Sequence, residues 1–458
     1  MNSNNMEENA ICHVVAMPFP GRGHINPMMN LCKLLTAKNQ DIVITFVVTE
    51  EWLGYISADP KPDNIRFRTI PNVIPPEKLK AQDFLGFYEA VMTKMEAPFE
   101  QLLDHLEPPV TAIIGDIEVR WAIGVGSRRK IPVAALWTMS ISFFCMLYHF
   151  CQFSREQDSI FDFLDDVEYI PGISSSNLAD LKAVFQRNDH GVLQLALDCI
   201  SRVPKAQYLL FTSIYELEPQ VTNNLRETFP FPVYPIGPAI PYLELEQNNY
   251  GTSNSTNDDG YIQWLDSKPA DSVLYISLGS FLSVSSTQMD EILAGLQNSN
   301  VNFVWVARGE ASRLKEICGD KGLVLPWCDQ LRVLCHSSVG GFWTHCGWNS
   351  TLEAVFAGVP MLTFPLFLDQ DPNSNQIVED WKIGWEVKRE IGTQKFLTRE
   401  EIAEVIKRFM DLNSDEGIEI RRKARQLRDI CQGATTESGS SVINLTAFIQ
   451  DISQGHNH

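Results

Sequence analysis

Short apolar runs recur along this chain, each followed by a longer stretch in which apolar residues return with a helical period. In the first half the runs are ICHVVAMPF, DIVITFVVT, IRFRTIP, TAIIGDI, PVAALWT and QYLLFTS. In the second half they are SVLYISLGS, NFVWVAR, GLVLPW, VGGFWTH and VPMLTFP. Most are β-branched and continuously apolar rather than alternating, as strands buried on both faces are. Strands alternating with helices in this way predict α/β domains built on parallel sheets. Ligands of such sheets lie at the carboxyl ends of the strands.

Between the halves, LEQNNYGTSNSTNDDG has almost nothing to bury and predicts a surface linker over residues 245–260. The organisation expected is a Rossmann-like domain over 1–244, the linker over 245–260, and a second Rossmann-like domain over 261–436, with a final helix over 437–458. Thr398 and Glu401 have capping-box spacing ahead of EIAEVIKRFMDL, so the late chain is helical. Residues 131–150, IPVAALWTMSISFFCMLYHF, are about long enough to span a bilayer. They carry Thr138, Ser140, Ser142 and His149, and read better as a buried strand over 132–137 running into a buried helix.

Composition narrows the function classes. A chain of 458 residues suits two domains, and 44% hydrophobic residues can fill two cores. Its 37 basic and 57 acidic residues give a net charge of −20, which argues against nucleic acid or an anionic membrane as a partner. An anionic ligand would have to be held locally, by backbone amides and helix ends. The start, MNSNNMEENA, has no apolar signal core. The ten cysteines have no regular spacing, and several, such as Cys12 and Cys145, sit in apolar runs. Reduced buried thiols in a cytoplasmic protein are expected. The sequon Asn349-Ser350-Thr351 lies inside the chain's richest motif, where a glycan would block any site.

That motif is GGFWTHCGWNSTLEAVFAGVP, residues 340–360. A zinc site would use Cys335-His336 and His345-Cys346, but neighbouring residues on a strand point to opposite faces and the usual ligand spacing is missing. A Cys346 nucleophile beside His345 fails on the same alternation. A phosphate site fits better. The strand VGGFWT ends at His345, Gly347 permits a tight turn, and Asn349-Ser350-Thr351 opens a helix that Gly358 and Pro360 stop. Ser350 and Glu353 have capping-box spacing. The amides of Asn349 and Ser350 would then face an anion at the positive end of the helix, with His345 and the Asn349 side chain as further donors.

The 44 residues from Trp327 to Gln370 closely resemble the signature box of plant UDP-sugar-dependent glycosyltransferases acting on small molecules. The likeness runs from WCDQ through HSSVGGFWTHCGWNSTLEA and GVP to a closing DQ, and it extends over the whole chain. The stretch AMPFPGRGHINPMMNLCK is most similar to subfamily 87. The resemblance implies the GT-B fold, two Rossmann-like domains facing each other across a cleft, with a last helix crossing back to the first domain. It implies that Trp327 stacks on uracil, that the Cys328 backbone and Gln330 hold its edge or the ribose side, and that Glu353 accepts the ribose hydroxyls. His345, Gly347, Asn349, Ser350 and Ser280 would take the pyrophosphate. Asp369 and Gln370 would bind the sugar, with Trp348 and Thr138 nearby. A closing glutamine goes with glucose in this family, so UDP-glucose is the expected donor.

FPGRGHINP follows the first strand, and its sixth fingerprint position is Asn26 rather than Gly, against a dinucleotide loop and a nicotinamide oxidoreductase. It reads instead as a loop presenting His24, with Asp116 of AIIGDIEV at a comparable strand end. A carboxylate on the far nitrogen of a histidine fixes the tautomer that accepts a proton. The family pairs its catalytic His and Asp at these positions. The expected reaction is therefore an inverting transfer to a hydroxyl or carboxyl group, without metal or other cofactor, by a monomer. Phe19, Trp137, Phe143 and Phe144 suggest an apolar acceptor pocket, with burial in the core an equal alternative. Another UDP-sugar (galactose, xylose or glucuronate) and a non-catalytic UDP-sugar-binding protein are the alternatives.

Overall fold

The computed structural model describes residues 12–154, 169–179, 182, 190–248, 260–279, 284–387 and 396–454. Seven strands form the first sheet: β1 (Cys12–Met17), β2 (Ile42–Thr49), β3 (Ile65–Ile70), β4 (Ala112–Asp116), β5 (Val133–Trp137), β6 (Tyr208–Phe211) and β7 (Val233–Pro235). Six form the second: β8 (Val273–Ser277), β9 (Asn302–Val306), β10 (Gly322–Leu325), β11 (Val339–Thr344), β12 (Met361–Thr363) and β13 (Gly384–Glu386). The orders are β3-β2-β1-β4-β5-β6-β7 and β10-β9-β8-β11-β12-β13, and the paired strands are parallel. All eleven apolar runs are strands. The two strands not foreseen, β7 and β13, have three residues each.

Burial explains the unbroken apolar runs. Every residue of β1, β4, β5 and β11 is buried, so both faces of the central strands meet packed helices. Residues 131–150 divide into β5 and the helix Ile141–Ser154, and among the described residues no helix is long and apolar enough to cross a membrane. Nine of the ten cysteines are buried, and none is in a disulfide. Residues 245–248 lie in a helix, Tyr242–Asn248, and Gly260 opens another, Gly260–Asp266. Residues 249–259 of the sequence linker lie outside the described residues.

The capping box at Thr398 and Glu401 is formed on both sides. The one read at Ser350 and Glu353 is not. The helix starts earlier, at Trp348 with Gly347 as N-cap, so Ser350 is already inside its first turn. Gly358, at φ 74°, closes this helix in the left-handed conformation that glycine adopts without strain.

The helix Ser440–Ser453 lies on the first sheet. Leu445, Phe448, Ile449 and Ile452 join the core of β1 and β2, and the Phe448 ring is 5.5 Å from that of Tyr208. Tyr234 of β7 donates to Asp451 at 2.7 Å. The chain's last apolar segment therefore completes the first domain's core. Truncating Phe448 removes a fully buried ring, so Phe448→Ala should cost about 3–5 kcal/mol in urea unfolding. A loss below about 1 kcal/mol would contradict this docking.

Candidate active site

Each sheet has one place where the winding reverses: between β1 and β4 in the first, between β8 and β11 in the second. Loops leaving such neighbours diverge and open a crevice. The two crevices face each other across a cleft of about 740 Å³. Every described residue that the sequence singled out for catalysis or donor binding, apart from Asp116, lines it. Ser280 lies outside the described residues.

His24 is presented by the first turn of the helix Arg22–Lys38, not by a loop. Its Nδ1 lies 2.8 Å from Asp116 Oδ2 and 3.1 Å from Thr138 Oγ1. Asp116 ends β4, its side chain is 1% exposed, and its other oxygen accepts from the Glu118 amide at 2.9 Å. That second bond holds the carboxylate in place beside His24. Burial alone would lower the His24 pKa, but the Asp116 and Glu118 carboxylates outweigh it and raise it above the ordinary imidazole value. The ring also leans on Phe19, with centroids 5.1 Å apart.

Residues not anticipated surround this pair. Glu118 Oε2 lies 3.5 Å from His24 Nε2, the nitrogen facing away from Asp116. Buried Lys80 donates to the Pro20 carbonyl at 2.7 Å and sits 3.8 Å from Glu77. Glu118 could have been suspected from its place two residues after Asp116, whereas Lys80 comes from a distant polar stretch with no pattern. His24, Asp116 and Glu118 are the one group of three His, Cys, Asp or Glu side chains among the described residues whose potential ligand atoms lie within 4.8 Å of one another. Cys335 and His336 are not on a strand. They close the short helix Gln330–Leu334, and His336 is bonded to Ser338 and Asp266.

On the opposite wall the helix Trp348–Ala357 points its amino end into the cleft. Thr351 is its first amide bonded within the helix, to the Gly347 carbonyl at 3.0 Å, so the Trp348, Asn349 and Ser350 amides have no intrahelical acceptor. His345 is wedged between two glycines. A Cβ on Gly279 would come within 2.8 Å of its ring, and one on Gly347 within 2.5 Å. Burial pushes the His345 pKa down to about 4, against a smaller opposing pull from the Ser277 backbone, so this imidazole is neutral near pH 7. Trp348 Nε1 and Asn349 Oδ1 are buried without a hydrogen-bond partner, as polar atoms at binding sites often are.

Gln330 organises the next stretch of wall. Its amide donates to Ser350 Oγ at 2.9 Å and to Glu353, while its carbonyl accepts from Tyr275 at 3.1 Å. Glu353 is thus held by a neighbour rather than by a helix cap, and burial raises its pKa to about 7. Cys328 is buried beside Tyr275, whereas Trp327 is 61% exposed, an unusual state for so large an apolar ring. Gln370 accepts from the Leu366 and Phe367 amides at 2.8 and 3.0 Å, which fixes its side chain by the carbonyl end. Asp369 accepts from Asn373 at 2.8 Å, and burial raises its pKa to about 7 as well.

One bond ties the walls together. Pro27 lies inside the His24 helix and has no N–H to offer the Gly23 carbonyl four residues earlier. Asn349 of the second domain donates to that carbonyl at 2.8 Å. Apolar contact across the cleft comes from Phe84 against Phe367, 5.7 Å apart and edge to face. Of the aromatic residues considered for an acceptor pocket, Phe19 lines the cleft, while Trp137, Phe143 and Phe144 are buried in the first domain's core.

Known proteins share this arrangement. The family model for UDP-glucoronosyl and UDP-glucosyl transferase matches residues 138–411. UDP-glycosyltransferase 87A2 of Arabidopsis thaliana is 50% identical over 456 residues, 99% of this chain and 99% of the relative. Among solved structures, UGT2 of Phytolacca americana complexed with UDP-2fluoro-glucose and pterostilbene superposes with a TM-score of 0.78 at 26% identity, covering 97% of this chain and all of that one. UGT71G1 of Medicago truncatula complexed with UDP-glucose gives a TM-score of 0.77 at 25% identity, covering 97% and 99%. Two parallel-sheet domains facing across a cleft are the GT-B fold of these enzymes, and with half its residues shared along almost the full length of such a relative, this chain belongs to the plant UDP-glycosyltransferase family.

Proposed function

We propose that this enzyme transfers glucose from UDP-glucose to a hydroxyl group of a small hydrophobic acceptor, with inversion at the anomeric carbon and no metal ion taking part. The observation that carries the reading is the His24–Asp116 pair, whose outer imidazole edge, beside Glu118, faces the cleft opposite the amino end of the helix Trp348–Ala357. The Phytolacca and Medicago relatives, solved with a UDP-sugar, support the donor class. The first of them, holding pterostilbene, supports a small aromatic acceptor.

In this reading Trp327 stacks on the uracil, beside the Cys328 backbone, and Gln330 holds Glu353 where its carboxylate accepts from the ribose hydroxyls. The pyrophosphate meets the Trp348, Asn349 and Ser350 amides and His345. Asp369 and the amide end of Gln370 hold the sugar, close to Trp348 and Thr138. The acceptor hydroxyl gives its proton to His24 Nε2 while its oxygen forms the bond to the anomeric carbon. The bond from that carbon to the phosphate oxygen breaks, and its electron pair leaves with UDP. Asp116 stabilises the imidazolium formed. The departing charge is met by helix amides and by His345, which as a neutral ring donates one hydrogen bond rather than a charge. Phe19, Phe84, Met139 and Phe367 offer the acceptor an apolar wall.

His24→Ala should lower turnover by about 10²- to 10⁴-fold with UDP affinity kept, and the wild-type rate should be the same in EDTA. Because the carboxylates raise the His24 pKa, the base form is lost as pH falls through a value above about 6.5. The acid limb of kcat/KM should therefore lie above that pH, and Asp116→Asn, which removes an anion, should move it down. A limb at or below about 6 in the wild type contradicts the assignment of the base.

The donor site should divide into a nucleotide end and a sugar end. Glu353→Gln should weaken UDP and UDP-glucose together, by about 1–3 kcal/mol in calorimetry. Gln370→His should leave UDP affinity nearly unchanged and shift competition from UDP-glucose toward UDP-galactose. Equal losses of UDP affinity in the two variants would overturn the division.

A further inference from the structure

We propose that Glu118 selects the acceptor: its carboxylate, on the cleft side of His24, takes a hydrogen bond from a second donor group next to the hydroxyl that is glycosylated, so the enzyme favours vicinal diols and excludes carboxylic acids. The inference rests on His24 being the base. Glu118 Oε2 is 3.5 Å from His24 Nε2, on the edge opposite the bond to Asp116, and its side chain is 14% exposed in the wall of the cleft. An acceptor oxygen that gives its proton to Nε2 must come within hydrogen-bond reach of that atom, and so stands beside Glu118. A hydroxyl on the adjacent carbon then falls within reach of the carboxylate.

The surrounding charges make a donor the group that fits. Asp116 lies behind the ring, Glu77 stands beside Lys80, and Asp369 of the other domain is close enough for its charge to couple to both His24 and Glu118. Lys80 is buried and bonded to the Pro20 carbonyl, and it lies over the Phe19 and Phe87 rings. Burial raises the Glu118 pKa, against the pull of His24, Lys80 and a hydrogen bond from Tyr88. A carboxyl group so placed gains from a hydroxyl donor. A carboxylate acceptor would instead bring another anion to Asp116 and Glu118 in a poorly solvated pocket.

The test uses the full-length enzyme with UDP-glucose and matched acceptors: catechol against its monomethyl ether, trans-1,2-cyclohexanediol against its monomethyl ether, and phenol against benzoate. Wild type, Glu118→Gln, Glu118→Ala and His24→Ala are compared by kcat/KM, with melting curves to confirm folding. Wild type should favour each diol over its ether by about tenfold or more, the cost of leaving a polar partner unpaired. Glu118→Ala should bring that ratio to about threefold or less, and Glu118→Gln should raise benzoate turnover relative to phenol. Glutamine keeps the shape of the side chain, so its effect on benzoate cannot come from misfolding. Diol-to-ether ratios that survive both Glu118 substitutions overturn the proposal, as does wild-type turnover of benzoate as fast as phenol, or of the ethers but not the diols. If His24→Ala keeps its activity, it is the assignment of the base that fails.

Discussion

A parallel sheet covered by helices on both faces can meet a ligand only at its strand ends, and this chain meets that constraint twice. β1 and β4 part at one crevice, β8 and β11 at the other, and the chemistry-bearing residues gather at those two openings. The central strands β1, β4, β5 and β11 are wholly buried and contribute rigidity. His24 sits in the helix that follows β1, Asp116 ends the neighbouring β4, and the two strands finish side by side, with Met17 paired to Gly115. A 2.8 Å bond between residues 92 positions apart in sequence is therefore a consequence of sheet topology.

The two histidines of the cleft show how burial and neighbours divide the work. Both lie in poorly solvated surroundings, yet His24 is pushed up by two carboxylates and His345 is pushed down to about 4, with no carboxylate among its causes. One is fitted to carry a proton and the other to stay neutral. The Asn349 bond to the Gly23 carbonyl joins the helix end beside His345 to the turn that carries His24. It exists because Pro27 leaves that carbonyl without a partner in its own helix.

Much of this was legible in the sequence. Continuous apolar runs gave eleven strands and their parallel pairing, though not the strand order, and the signature box drew Trp327, His345, Glu353 and Gln370 into one donor site. What could not be read was tertiary. The Ser350–Glu353 spacing suggested a cap, but the helix began at Trp348 and left Glu353 to Gln330. FPGRGHINP suggested a loop because it holds two glycines and two prolines, yet a helix begins at Arg22 and tolerates Pro27. Lys80 and Phe84 reach the cleft from a segment whose sequence has no signal for a site, because only the folded chain brings them to His24. Trp137, Phe143 and Phe144 show the reverse: aromatic residues near the site in sequence that serve the core.

The proposed reaction is a single displacement, with a base on one side of the anomeric carbon and departing UDP on the other. The most direct test is the configuration of the first product. Proton NMR of the glycoside formed early in the reaction from α-linked UDP-glucose reports it through the coupling of the anomeric proton. A β-glucoside is predicted, and an α-glucoside would contradict the arrangement of His24 opposite the Trp348–Ala357 helix.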